Sequence, residues 1–166
     1  MKRYSILLLT LLLPLIAGAQ VKFGYFSYEE AFVSMPEYAI AQANLKDLRA
    51  KYDAETKRAE DEFNRKYEEF LDGQSDFAPT ILQKRQTELQ ELLHKNVAFK
   101  AETAKLLKQA EAEAYAPLRE KLSKVLAKIG AEKGYAFILN TDGNACPYID
   151  PEMGDNVSQL VREALR

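Results

Sequence analysis

A long stretch of helix-forming residues, from Pro36 to Gly134, constrains this chain more than any other feature. Its one clear break is Asp72-Gly73-Gln74-Ser75-Asp76-Phe77-Ala78-Pro79, whose composition is typical of a tight reversal. The pattern predicts two antiparallel helices, at about residues 37–71 and 79–133, that form a projecting hairpin arm. Because a two-helix arm has no third layer to cover it, it buries little of itself, and this favours a binding protein over an enzyme.

Both predicted helices carry apolar residues in steps of three and four, which is typical of a coiled coil. The stripe of the first helix comprises Tyr38, Ala41, Leu45, Leu48, Tyr52, Ala59, Phe63, Tyr67 and Phe70. The stripe of the second comprises Leu82, Leu89, Leu93, Val97, Ala104, Leu107, Ala114, Leu118, Leu122, Val125 and Ile129. Gln86, Lys100 and Glu111 interrupt the second stripe with polar groups. With the tip at Gln74 and Ser75, Tyr38 is expected to face about Glu111.

Pro117 lies inside the second stripe. Proline removes a backbone donor and clashes with the preceding turn, so it is expected to kink or split the helix where the arm enters a small body. The predicted organisation is a signal peptide at residues 1–19, a β-rich oligomerisation body at residues 20–36 and 117–166, and an arm at residues 37–116 with its tip near residues 72–79.

The first residues fit a secretory signal peptide. Lys2 and Arg3 precede an apolar run, and Ala17-Gly18-Ala19 supplies the small residues of a cleavage site before Gln20. The apolar run is shorter than the ~20 residues of a membrane-spanning helix. Cleavage would leave a mature chain of 147 residues with 21 basic and 25 acidic side chains, a net charge of −4. We therefore expect export from the cytoplasm and no nucleic-acid partner, since nucleic-acid binding needs a basic surface.

The two ends of the mature chain predict the small body. Residues 21–28 indicate a strand, residues 29–34 a short helix, and residues 135–139 a second strand. Asp142-Gly143 predicts a hairpin turn that returns as a strand at residues 145–149, and Asn156 is expected to cap a last helix. About 65 residues give only a marginal core, so oligomerisation is expected. The fold class is α+β, mostly α.

Residues that could support catalysis are sparse. His94 is the only histidine and Cys146 the only cysteine, so neither a His/Cys metal site nor an intrachain disulfide can be assembled from them. The sequence contains neither a Walker motif nor a GxGxxG fingerprint. We expect no enzymatic activity, no cofactor and no metal.

Apolar side chains gather near the predicted tip and leave two interpretations open. Aromatic residues at seam spacing can hold the two helices together, or they can contact apolar clients on the uncovered face. The candidates for client contact are Phe63, Tyr67, Phe70, Phe77 and Phe99.

The order of these parts resembles the Skp/OmpH family of periplasmic chaperones. The resemblance rests on Lys22-Phe23-Gly24-Tyr25-Phe26, on Gly134-Tyr135-Ala136-Phe137-Ile138-Leu139, on Tyr148-Ile149-Asp150-Pro151 and on the hairpin between them. It implies a homotrimer in which strands of three subunits form a shared barrel and three arms surround a cavity. It also implies that unfolded outer-membrane β-barrel proteins are held soluble without ATP.

Within that resemblance, the strand and loop residues of the body are the candidates for oligomerisation. They are Phe23, Tyr25, Phe137, Leu139 and Tyr148. Familiar members of the family are basic, whereas this mature chain is acidic, so strong binding to membrane surfaces is not expected. A second function stays open, namely a structural adaptor whose coiled coil docks one specific cell-envelope partner.

Overall fold

The computed structural model describes residues 21–166, so the predicted signal peptide lies outside the described residues. The elements are β1 (Phe23–Phe26), α1 (Tyr28–Val33), α2 (Pro36–Gly73), α3 (Pro79–Lys133), β2 (Phe137–Asn140), a 3₁₀ turn (Asp142–Asn144), β3 (Gly154–Asn156) and α4 (Ser158–Leu165). The chain divides into two compact units. The helical unit is Glu37–Leu118, and the strand unit comprises residues 21–36 and Arg119–Arg166.

Within the helical unit, α2 and the first part of α3 run antiparallel. The ring of Tyr38 stacks on that of Tyr115 with centroids 5.6 Å apart, and the Asn96 side-chain amide donates to the Ala59 carbonyl at 3.0 Å. The predicted opposition of Tyr38 and Glu111 is therefore wrong by about one helical turn. The reason is that α2 continues to Gly73 and α3 begins at Pro79, which places the centre of the reversal near residue 76.

Pro117 does not split α3, which continues from Pro79 to Lys133 as one helix. The predicted split is wrong because proline removes one backbone donor while the hydrogen bonds of neighbouring turns remain. The prolines at the helix starts behave as expected. Pro36 and Pro79 occupy the first positions of α2 and α3, where a missing N–H has no intrahelical partner to lose.

The strand unit contains a three-stranded parallel sheet in the order β2-β1-β3. Phe23 pairs in register with Phe137 on one side and with Gly154 on the other. The predicted hairpin is wrong, because β2 ends in a 3₁₀ turn and residues 145–149 form no strand. The third strand is β3, a segment that the sequence pattern assigns to a loop.

Asp142 explains why the Asp-Gly turn does not make a hairpin. Its carboxylate accepts a hydrogen bond from the Ser27 hydroxyl at 2.6 Å and one from the Glu29 backbone N–H at 2.8 Å. The Ser27 hydroxyl in turn accepts from the Glu30 N–H. The two side chains thus provide acceptors for backbone N–H groups in the first turn of α1. The turn is thereby tied to α1 and is not free to return along β2.

These hydrogen bonds predict a pH-dependent loss of stability when Asp142 is replaced. The Ser27 hydroxyl, together with the backbone donors, holds the pKa of the Asp142 carboxyl below its ordinary value. The ionised group thus stabilises the fold above about pH 4, and this stability is lost as the pH falls through the lowered pKa. We expect Asp142→Ala to lower the free energy of unfolding by about 1–2 kcal/mol at pH 7. Urea titrations at pH 7 and pH 3 should show the difference from wild type shrinking in acid, whereas Asp53→Ala, on the exposed face of α2, should change little at either pH.

The core of the strand unit is built from both ends of the described chain. The most completely buried side chains there are Met35, Leu122, Val161 and Leu165. Helix α1 contacts α4, and the Lys121 ammonium donates to the Leu165 carbonyl at the end of α4 at 3.0 Å. Asn156 accepts from the Ser158 N–H at 3.0 Å, so its predicted capping role is retained although Val157 is the residue that directly precedes α4.

Tyr135 covers one face of the sheet. Its ring lies 3.2 Å from the position that a Cβ on Gly24 would take, and its hydroxyl donates to the Asp155 carboxylate at 2.6 Å. Burial and this hydrogen bond to a carboxylate raise the pKa of Tyr135 to about 12. Tyr135 therefore fastens the segment before β2 to β3, across the glycine of β1.

Candidate functional site

The helical unit has little buried interior. No residue of α2 is buried, and none is buried in α3 between Pro79 and Glu102. The buried residues of the unit, Thr103, Tyr115 and Leu118, all lie in the later part of α3. Large apolar side chains are exposed along both helices, namely Ile40, Tyr67, Leu71, Ile81, Leu93, Val97 and Leu106. The unit therefore presents apolar surface that a closed coiled coil would bury.

An open cavity of about 310 Å³ lies midway along the helix pair, and we call it the central cleft. Its residues are Glu60, Phe63, Asn64, Leu93, Asn96, Val97 and Lys100. The side chains of Leu93 and Val97 are 46% and 60% exposed, and Phe63 is half-buried. The Phe63 ring stacks on the Tyr67 ring with centroids 6.0 Å apart, so the apolar surface continues along α2 towards Leu71.

A smaller cavity of about 70 Å³ lies at the tip of the helix pair. Phe70 and Phe77 form its aromatic wall, with ring centroids 6.3 Å apart, and Arg85 and Leu89 lie among its other residues. The Phe77 ring lies so close to Gly73 that an added Cβ would sit 2.6 Å from it. Phe70 and Phe77 therefore close the reversal between the helices as well as lining a cavity.

At the opposite end of the helical unit, a polar contact joins the two helices. The Gln42 amide donates to the Tyr38 hydroxyl at 3.0 Å and also to the Tyr115 hydroxyl. Tyr115 is buried, and its burial raises the pKa of its phenol. This end of the pair is thus fixed by stacked rings and hydrogen bonds.

The charges of the helical unit are largely neutralised locally. Lys57, Arg58 and Arg65 each pair with an acidic residue three or four positions away on α2. Lys100 pairs with Glu60 across the two helices. Such exposed pairs contribute little stability, but they leave the basic clusters of α2 without a strong positive field.

The predicted client-contact residues do not form one cluster. Phe63 and Tyr67 lie at and beside the central cleft, whereas Phe70 and Phe77 lie at the tip. Phe99 is half-buried and lines neither cavity.

Leu93 and Val97 were predicted as seam residues, but both are exposed. The sequence feature that indicates this exposure is Lys100. It places a charge in the seam one turn after Val97 and thereby interrupts the close packing of the helices.

Four of the five predicted oligomerisation residues, namely Phe23, Tyr25, Phe137 and Leu139, lie on one face of the sheet. Phe23 stacks on Phe137 with centroids 5.4 Å apart, and Tyr25 pairs in register with Leu139. Phe137 is 47% exposed, and both β2 and β3 are edge strands within the described sheet. Tyr148 is 79% exposed in the loop before β3, outside any strand. A parallel sheet is normally covered on both faces, and here one face stays partly uncovered in the single chain.

In the described part of the chain, residues 21–166, histidine, cysteine and acidic side chains do not come together in groups of three that could hold a metal ion. None of its helices is both long and apolar enough to cross a membrane.

The two units define a class of protein in which a long antiparallel helix pair is joined in sequence to a small parallel sheet. The family model described as outer membrane protein (OmpH-like) matches residues 22–165, and the chain belongs to this family. A crystal structure of a putative outer membrane chaperone (OmpH-like) from Caulobacter crescentus has the same fold. It is 17% identical in sequence with a TM-score of 0.72, and the match covers 90% of this chain and 86% of that one. Among curated proteins, no match was found.

Proposed function

We propose that the mature chain is an ATP-independent periplasmic holdase that binds unfolded outer-membrane β-barrel proteins and prevents their aggregation. The observation that carries the proposal is the exposed apolar surface of the helical unit, where α2 has no buried residue. A holdase needs many adaptable contacts and not one shaped pocket, and a helix pair with an open seam supplies them. Membership of the OmpH-like family supports the same function.

The strand unit has a separate role in this proposal. The uncovered aromatic face at Phe23 and Phe137, together with the open edges of β2 and β3, would pair with other copies of the chain. We propose a homotrimer held together by these strands. Residues 1–19 would direct export and be removed, leaving the assembly in the periplasm.

The charge pattern favours apolar over electrostatic recognition of clients. The mature chain is acidic overall, and the cations of α2 at Lys57, Arg58 and Arg65 are paired on their own helix. Strong attraction to an anionic lipid surface is therefore not part of the proposal.

The proposal predicts that the purified mature chain, residues 20–166, suppresses aggregation without nucleotide. A urea-unfolded outer-membrane β-barrel protein would be diluted into buffer, and light scattering would be followed with and without the chain. We expect scattering to fall by more than half at a few-fold molar excess of trimer, and adding ATP should change nothing.

Serum albumin at equal mass is the control for nonspecific crowding in that assay. Unchanged scattering at a several-fold excess of the chain would contradict the holdase. Failure to suppress aggregation, together with stoichiometric binding of a single folded envelope protein, would favour the structural adaptor instead.

A further inference from the structure

The central cleft combines apolar walls with two side-chain amides. Phe63, Leu93 and Val97 supply the walls, and Asn64 and Asn96 supply the amides. Its volume, about 310 Å³, is at the lower end of the roughly 300–1,000 Å³ typical of ligand pockets.

One of the two amides is already held in position. The Asn96 Nδ2 donates to the Ala59 carbonyl at 3.0 Å, which fixes the side chain between the helices. Within residues 21–166, neither the Asn96 Oδ1 nor the Asn64 side chain makes a side-chain hydrogen bond. These groups can accept from and donate to a neutral polar partner such as a peptide backbone.

The charges of the cleft indicate a neutral occupant. Lys100 and Glu60 pair with each other across the helices, so the two ionised side chains of the lining neutralise one another. An anionic headgroup or an acidic peptide would have to break this pair in order to gain a cation. A neutral segment leaves the pair intact.

The spacing of the apolar side chains fits an extended polypeptide. Leu93 and Val97 are four residues apart on α3, a rise of about 6 Å. Side chains on one face of an extended strand repeat every two residues, about 7 Å. A strand lying along α3 could therefore place two successive side chains of one face against Leu93 and Val97. The stacked Phe63 and Tyr67 rings would continue that contact along α2.

We infer that the central cleft is a discrete subsite for a short, neutral, extended polypeptide segment with alternating apolar residues. Its side chains would contact Phe63, Leu93 and Val97, and its backbone would hydrogen-bond with Asn64 and Asn96. The inference rests on the proposed holdase function for the identity of the client, and it adds where and in which conformation the client is held.

A labelled seven-residue peptide of alternating valine and threonine tests this subsite by fluorescence anisotropy with the intact mature chain. Leu93→Ser combined with Val97→Ser should weaken peptide binding about five- to tenfold, since each change removes apolar contact area. Val33→Ser combined with Leu160→Ser is the control, because these side chains are also exposed but lie in the strand unit, away from the cleft. The control variant should bind the peptide within twofold of wild type.

Two modified peptides test whether the cleft binds backbone amides and whether it prefers a neutral segment. A peptide that is N-methylated at its central amides should bind several-fold more weakly, and an acidic analogue with aspartate in place of threonine should not bind better than the neutral one. Equal binding by both double variants, or preference for the acidic peptide or for anionic phosphatidylglycerol vesicles, would overturn the inference. Sedimentation should show the same oligomer for wild type and both variants. A smaller oligomer for the cleft variant alone would indicate that a second copy of the chain occupies the cleft, and this would overturn the inference.

The same preparations separate this inference from the proposed function. Peptide binding that is lost only in the cleft variant supports the subsite even when no preparation suppresses aggregation, and the holdase proposal alone would then fail. Suppression of aggregation with peptide binding that does not depend on Leu93 and Val97 would overturn only the subsite.

Discussion

Leu122→Ala is expected to lower the free energy of unfolding by about 3 kcal/mol, because it truncates a fully buried leucine. The Leu122 side chain has no solvent exposure, in a strand unit whose other fully buried large side chains are Met35, Val161 and Leu165. Truncating a buried leucine removes its transfer free energy and leaves a cavity, a combined cost of about 2–5 kcal/mol. So small a core has few other contacts to absorb the loss.

Urea denaturation followed by circular dichroism measures this effect. With a slope of about 1–3 kcal/mol per molar urea, the midpoint should fall by at least 1 M. Leu160→Ala is the control, because Leu160 lies on the outer side of α4 and is exposed. Protein concentration must be held constant, since unfolding linked to assembly depends on it. Equal shifts for the two variants would contradict the assignment of the core.

The long helices follow from the sequence because their signals are local. Apolar steps of three and four continue for many turns, and Pro36, Pro79 and Gly134 mark positions where a helix can start or has just ended. The strands β1 and β2 are likewise predicted from aromatic and aliphatic runs. In these segments, residue preference and tertiary structure agree.

The third strand could not be predicted because its cause is tertiary. Gly154-Asp155-Asn156 has no preference for strand by itself. It pairs with β1 where the Phe23 ring lies over Gly154, so close that an added Cβ would be 2.5 Å from that ring. The hairpin predicted at Asp142-Gly143 is wrong for a related reason. The Asp142 carboxylate accepts hydrogen bonds from Ser27 and Glu29 at the start of α1, more than a hundred residues earlier.

The candidate site was predicted in part. Phe63 and Tyr67 were identified from their aromatic character, and both lie at or beside the central cleft. Seam spacing alone assigns Leu93 and Val97 to the helix interface, and the charge of Lys100 one turn later is the sequence feature that indicates their exposure. Whether these residues bind clients is still a prediction.

A second large effect is expected from removing the exposed apolar surface of the helical unit. A fourfold variant with Leu71, Ile81, Leu93 and Val97 changed to glutamine alters side chains that are 44–60% exposed, so its fold should be retained. If these side chains hold unfolded polypeptide, the loss of their apolar area should weaken client binding at least tenfold. Glutamine is a good helix former, so helix propensity should change little.

The matched control removes a similar amount of exposed apolar surface from the strand unit. Its four positions are Val21, Val33, Met153 and Leu160, whose side chains are 37–57% exposed. Circular dichroism and light-scattering mass should first show that both variants are folded and have the same oligomeric state as wild type.

Suppression of outer-membrane protein aggregation by these two variants, compared at equal concentration of assembled protein, tests whether the exposed apolar side chains of the helical unit hold unfolded clients. We expect the helical-unit variant to suppress aggregation at most about one tenth as effectively as wild type, and the strand-unit variant to match wild type. Full suppression by a correctly assembled helical-unit variant would contradict the claim that the exposed apolar face of the helices holds unfolded clients.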